Sequence, residues 1–370
     1  MKKILTLAVM AAAGFAFAEG WDVNGYIRSG IEANTDAKDF ETKEYKDGKW
    51  YGNGKSRLRL NLNYTQEQYG FKFRYECNKF GINDADSKDS EGDIKEIWFT
   101  NDNLKYVYGY GKFLDGKIVA EAGKLKDGYT QTEGKEEFSA MEGYGLRGVV
   151  IPVEGFYLSA AATTYRAEKF VSEDDEVVDG KAKAGDYKMN EKVLTLSAKY
   201  KNDAFTVAGG HNFAGESYGY FELKAVPNFA LKVEAKLLDK DISGKKDKKG
   251  KDTSETQIWE QVQYKFNDMG LPLEAGIYCG QKIVTDDNIF EFYPYMSYTL
   301  NEVVSPELEA GIIKYADKDR KDRDGDEYSM TYNVTPSLKI KAGKKTTIKV
   351  YYNYDKNDKS AVGTTMKVNF

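Results

Sequence analysis

The sequence predicts an all-β chain: a single transmembrane antiparallel up-and-down β-barrel of about eighteen strands, with sixteen as the alternative count, short turns on one rim and long loops on the other. Three observations carry that expectation. Apolar and polar residues alternate with period two in one segment after another. The links between segments are alternately short and long, and the chain opens on an export-type leader.

In the leader, Lys2 and Lys3 precede an apolar stretch too short to span a bilayer, and Ala16-Phe17-Ala18 forms a small-x-small cleavage site. Residues 1–18 are therefore expected to be a signal peptide and 19–370 a single barrel domain. Beyond Ala18 no run of about 18 apolar residues occurs, so no membrane helix is expected. In the segment 57–64, Leu58, Leu60, Leu62 and Tyr64 share one face while Arg57, Arg59, Asn61 and Asn63 share the other. The next segment sets Phe71, Phe73, Tyr75 and Cys77 against Lys72, Arg74 and Glu76. Leu231, Val233, Ala235 and Leu237 repeat the pattern, as do Ile348, Val350, Tyr352 and Tyr354. No segment sustains a 3.6-residue period. Strands are expected at 21–34, 56–65, 69–78, 104–113, 117–125, 144–152, 155–166, 190–201, 204–213, 218–226, 229–239, 255–266, 272–283, 289–299, 307–316, 327–340, 345–355 and 363–370. Links after even strands are short; those after odd strands are mostly long and charged. An even count returns both termini to one rim, and loops of unequal length are the habit of outer-membrane barrels. Tyr and Phe near strand ends suit interfacial girdles.

Composition removes whole classes of function. A single His and two Cys among 370 residues cannot build a Cys/His zinc or iron–sulfur site, and no disulfide framework is expected. A formal charge of −5 argues against a nucleic-acid partner. No cofactor and no enzymatic activity are expected: a hydrolase would have to use His211, read as a rim residue, and no G-x-S-x-G elbow is present.

Two short stretches and the C-terminus resemble known families. Met366, Val368 and Phe370 share one face of a last strand ending in phenylalanine, which resembles the signal by which bacterial outer-membrane barrels are recognised by the barrel assembly machinery. Residues 22–31 look like the first strand of maltoporin-type sugar porins, and residues 113–125 look like the turn and strand that precede the inward-folded third loop of general porins. The resemblance implies a bacterial outer-membrane porin, in contact with outer-membrane lipids and passing small hydrophilic solutes, with a homotrimer as one assembly it allows.

In such a barrel the inward face and any loop folded into it carry the function. With the apolar set outward, the inward charges number fourteen basic to eight acidic. Arg28, Arg57, Arg59, Lys72 and Arg74 cluster on three neighbouring strands, with Arg147 further round, as a candidate basic wall. Loop 126–143 carries Asp127, Glu133, Glu136, Glu137 and Glu142 and is the candidate constriction, an ordinary outward loop being the alternative. An acidic loop facing the basic wall would set up a transverse field. Asp322, Asp324 and Asp326 present oxygens at alternate positions, a weak candidate for a hard cation beside the simpler reading of a structural loop. The expected function is passive diffusion of small hydrophilic solutes and ions with a weak preference for anions; the alternative is an adhesin or structural barrel with surface-exposed binding loops. A receptor with an internal plug domain is not expected, because strand 1 begins about three residues after the cleavage site.

Overall fold

The computed structural model describes residues 20–34, 57–77, 104–165, 177–178, 181–182, 191–240, 242–243, 245–246, 251–285, 288–316, 320–321, 327–356 and 360–370. In chain order the strands are β1 (Trp21–Asn34), β2 (Arg57–Thr65), β3 (Tyr69–Cys77), β4 (Leu104–Phe113), β5 (Ile118–Lys126), β6 (Glu142–Val150) and β7 (Phe156–Tyr165). The short pair β8 (Val177–Val178) and β9 (Lys181–Ala182) precedes β10 (Glu191–Lys201), β11 (Phe205–Asn212), β12 (Glu216–Leu223) and β13 (Phe229–Leu238). A second pair, β14 (Lys245–Lys246) and β15 (Asp252–Thr253), precedes β16 (Glu255–Lys265), β17 (Leu273–Val284), β18 (Ile289–Tyr298) and β19 (Val304–Tyr315). The third pair, β20 (Arg320–Lys321) and β21 (Glu327–Tyr328), precedes β22 (Met330–Lys341), β23 (Thr346–Asp355) and β24 (Ala361–Asn369).

Without the three short pairs, eighteen strands pair antiparallel with their chain neighbours, and β1 pairs with both β2 and β24, so the sheet closes on itself. This is the expected barrel, at the larger of the two strand counts. Closure leaves no edge strand exposed. It is sealed at the C-terminus, where the Gly25 N–H donates to the Phe370 carbonyl at 3.2 Å and the Phe370 N–H to the Gly25 carbonyl at 3.1 Å. Gly25 has no side chain, and the Phe370 ring lies over it; a Cβ there would meet that ring. Phe370 and Met366 are exposed on the outside, so the three residues of the assembly-signal resemblance sit on the strand that closes the barrel.

The alternation is inside out relative to a soluble sandwich. Leu146 is 64% exposed on the outer face, while its neighbour Arg147 has a fully buried side chain on the inner one. Phe290, Phe292, Ile312, Leu338 and Val350 are likewise exposed outside, and Glu121, Thr206, Asn212, Glu234 and Asn353 are buried inside. Apolar side chains outside and charges inside are the arrangement a barrel takes in lipid.

Tight turns join the strands on the short-turn rim. In the turn after β4, Leu114, Asp115 and Gly116 all take positive φ (51°, 54° and 84°). After β12 the bend at 227–228 uses Asn228 at φ 61°, a conformation asparagine tolerates better than most residues. A single 3-10 turn, Phe266–Met269, links β16 to β17 and stops at Gly270 with φ 72°.

Several boundaries differ from expectation by two or three residues, as where β19 starts at Val304 and not 307. Residues 327–328 belong to the outer pair β20/β21, so the wall strand starts at Met330. The ladder to β5 extends β6 back to Glu142, which is a strand residue and not a loop residue. Pairing with β13 extends β12 back to Glu216. The leader, Asp322, Asp324 and Asp326 lie outside the described residues, as do the side chains of Glu142 and Cys77. Cys279 is a free thiol on β17. His211 is on the outer face, its Nδ1 2.9 Å from Ser217 Oγ and its ring edge-on to Phe213.

Candidate constriction

The link between β5 and β6 folds into the barrel. It begins at Asp127, whose Oδ1 accepts the N–H groups of Tyr129 at 3.0 Å and Thr130 at 2.8 Å while its Oδ2 accepts the Thr130 hydroxyl at 2.6 Å. A short polar side chain that bonds the backbone two and three residues ahead turns the chain back on itself. The root is fixed by Arg147. Its guanidinium is ion-paired to Glu121, lies 3.3 Å from Asp127 and stacks over the Tyr129 ring at 5.1 Å. The Nη1 also reaches the Met141 sulfur at 3.8 Å, so one arginine ties both ends of the loop to the wall.

The loop then runs against β10–β13. The Thr130 hydroxyl lies 2.6 Å from that of Ser197, and Tyr218 donates its phenol to the Thr130 carbonyl at 2.8 Å. At the tip, Thr132 N–H donates to Phe138 O at 2.9 Å and closes a small ring of chain. Glu234, 1% exposed, receives the Thr132 hydroxyl at 2.6 Å on one oxygen and the Glu136 N–H at 2.8 Å on the other. Such bonds to an ionised acceptor are roughly twice as strong as neutral ones. Gly134 permits this approach, since a Cβ there would collide with the Glu234 carboxylate. Glu133 meets Lys199 at 2.5 Å and Lys201 at 3.3 Å, and Lys232 donates to the Glu133 carbonyl at 3.0 Å. Burial works against the Glu133 carboxylate, but the two lysines together outweigh it and hold its pKa below the usual carboxylate range. For Glu136 the desolvation of its carboxyl beneath the loop tip outweighs the help of Lys135, and the pKa is raised. The returning limb buries Phe138 and Ala140 against Tyr218, with Trp259 packed alongside. The Ala140 carbonyl accepts from Asn212 at 3.0 Å.

The expected basic wall is on the other side. In the ring of eighteen, β2 and β13 stand nine places apart in either direction. Arg28 and Arg57 are register partners, and Arg28 is opposite Lys367 on β24. Arg57 and Arg59 both pair with the buried Glu76, Arg59 at 2.6 Å. Arg74 donates to Asn61 at 2.7 Å and lies over the Tyr106 ring, Lys72 lies over Tyr110, and Arg59 and Lys367 both lie over Tyr26. Tyrosine faces hold these cations without cancelling their charge. On this wall Arg57 and Arg59 share a single carboxylate, Glu76.

Arg147 is therefore corrected: it faces inward as its parity requires, but it is sealed beneath the loop and offers no charge to an open channel. Asp127 is consumed in the same cluster, and Glu133 is neutralised by two lysines. Glu137, like Glu136, is exposed, its side chain to 57%, with Lys126 as a partner at 3.4 Å. Among the fourteen basic and eight acidic inward charges that parity gives are Lys199, Lys232 and Glu234, but nothing local shows that they grip the loop. Trp259, Tyr278, Tyr293 and Tyr295 go unmarked there, although their inward parity in a polar set is itself the signal.

No protein-family profile and no curated protein sequence matches the chain. Solved structures do match its fold. OccK8 (OprE) of Pseudomonas aeruginosa is similar with a TM-score of 0.54 at 10% identity, over 96% of this chain and 99% of that one. OccAB4 of Acinetobacter baumannii gives 0.54 at 9% identity, over 96% and 98%. OpdK of Pseudomonas aeruginosa, solved with vanillate, gives 0.51 at 10% identity, over 95% and 97%. Along nearly its whole length the chain has the fold of these three proteins.

Proposed function

We propose that the chain is a porin-type channel of a bacterial outer membrane, through which small hydrophilic solutes and ions diffuse passively with a weak preference for anions. The loop at 127–141 carries this reading: it is fastened inside the barrel by side chains of both its own strands and the wall opposite the arginines, so it narrows the lumen without plugging it from a separate domain. The outer apolar face and the fold shared with outer-membrane barrels support the location. The sign of the preference follows from pairing, since Asp127 and Glu133 of the loop are taken up by Arg147, Lys199 and Lys201, whereas on the arginine wall Arg57 and Arg59 share one carboxylate, Glu76. Screening over about 10 Å at 0.1 M salt keeps the preference small in a wet pore.

Purified, folded chain added to a planar bilayer should give discrete conductance steps that scale with salt concentration. A folded, heat-modifiable barrel that inserts and gives no steps would overturn the channel reading.

A further inference from the structure

The inward face of β16, β17 and β18 departs from the polar rule. Trp259, Tyr278, Tyr293 and Tyr295 occupy it, and their rings lie flat because glycines lie beneath them: a Cβ on Gly280 would strike the Trp259 ring, on Gly276 the Tyr295 ring and on Gly311 the Tyr293 ring. Flat rings turn their electron-rich faces to the lumen. Trp259 and Tyr293 are inclined by only 23° with centroids 6.5 Å apart, and Tyr278 and Tyr295 by 27° at 5.3 Å. The Tyr293 phenol donates to Glu291 at 3.1 Å, which fixes the ring.

A cation already occupies this platform. The Lys135 ammonium, carried there by the tip of the loop, lies 3.8 Å from the Trp259 centroid and 4.3 Å from that of Tyr293. Among the described residues no carboxylate is within ion-pair distance of it, so the rings hold it, with Glu136, Glu234 and Glu291 supplying negative potential from further away. With Lys135 in place only a narrow crevice of about 10 Å³ remains there, lined by Gly134, Lys135, Lys232, Glu234, Trp259 and Tyr278 among others.

We propose that this platform is a binding site for alkylammonium solutes in the lumen, and that Lys135 is its built-in competitor. The chemistry is that of a cation over aromatic faces, strengthened by partial exclusion of water and by three carboxylates, and it discriminates against a neutral solute of the same shape. Displacement of Lys135 removes one fastening of the loop tip, so occupancy of the site couples to the width of the constriction. The inference rests on the lumen being open to solutes, as proposed above, and binding is measurable without conduction.

Equilibrium dialysis of the folded, detergent-solubilised full chain against choline, with 3,3-dimethylbutan-1-ol as the neutral isostere, tests it. Choline should bind the unaltered chain weakly and the isostere more weakly still. Lys135→Ala should bind choline about tenfold more tightly, because the apparent dissociation constant is the intrinsic one divided by the fraction of time the site is vacant, and Lys135 holds that fraction to about a tenth. Trp259→Leu added to Lys135→Ala should abolish that gain, and Tyr293→Phe, which keeps the ring, should retain it. If Lys135→Ala does not fold, Lys135→Gln vacates the cage of charge, and Trp259→Leu alone must weaken choline binding. No gain on removing Lys135, equal binding of the isostere, or a gain that survives loss of Trp259 would overturn the assignment. Failure of conductance with choline binding intact would instead count against the channel reading alone.

Discussion

The wall at β24 and β1–β3 and the wall at β10–β13 are built by one rule and behave differently. Both alternate with period two, both turn charges inward, and both are rich in tyrosine. On the first, Arg74, Lys72 and Lys367 rest on tyrosine faces, and Arg59, also over a tyrosine, shares Glu76 with Arg57. On the second, Lys199, Lys201 and Glu234 are taken up by the loop. A count of lumen charges therefore overstates the field on one side and misses its direction. What decides it is which charges a folded-in loop occupies.

The contrast can be broken most severely at the root of the loop. Arg147→Leu leaves Glu121 and Asp127 buried without their cation, a change that costs roughly 3–5 kcal/mol. The barrel should survive with a lower temperature of heat modification on gel electrophoresis and with a loop open to proteolysis between Lys126 and Glu142. Unchanged heat modification would mean that the cluster does not hold the loop.

Next in size is the distinction between wet and lipid faces. Leu60→Arg places a guanidinium outside, at a cost of about 2–4 kcal/mol near the midplane, and should lower the yield of folded barrel. Asn63→Arg, inside and beside Asp22, should fold normally. Equal recovery of both would reverse the assigned faces.

At the tip, Glu234→Ala removes both acceptors that hold Thr132 and Glu136. Hydrogen bonds to a charged group contribute about 1.5–3 kcal/mol each, enough to free the tip while the Arg147 root holds. Single-channel conductance should rise, and Glu234→Gln should recover part of the difference. A conductance equal to that of the unaltered chain would show that the tip does not bound the path.

A smaller effect is set by pH. The Glu133 pKa is depressed in the folded loop, so the stabilisation from Lys199 and Lys201 is complete above the ordinary carboxylate value, about 4.3, and is lost as pH falls through the lower folded value. Glu136 has the opposite sign: its pKa is raised by burial, so it protonates first on acidification and relieves a penalty. Conductance should stay flat from neutral pH to about 5 and rise below about 4. In Glu133→Gln the acid rise should vanish; its persistence would assign the response to another group.

The wall of the barrel is legible in the sequence because lipid outside and water inside impose period two on every strand, and the terminal Phe370 announces the closing one. The charges of the basic wall are legible for the same reason. The fate of the loop is not, since nothing local distinguishes Thr132 and Glu136 from residues of an exposed loop; their partner Glu234 lies about a hundred residues further along. Arg147 has the parity of an open lumen residue and is covered only because the loop returns over it. The aromatic set at Trp259 and Tyr293 breaks the inward pattern, and that break marks the place where the loop tip lands.

The most direct test of the opposed walls is the reversal potential in a salt gradient across a planar bilayer, comparing the unaltered chain with Arg57→Gln, Arg59→Gln and Arg74→Gln combined. The expected result is a modest anion preference that shifts toward cations in the triple variant, which still folds but with a lower temperature of heat modification because Glu76 loses both its cations, and the difference fades as salt rises over the range in which the screening length falls from about 10 Å to 3 Å. Cation preference in the unaltered chain, or a reversal potential indifferent to the three arginines, would contradict it.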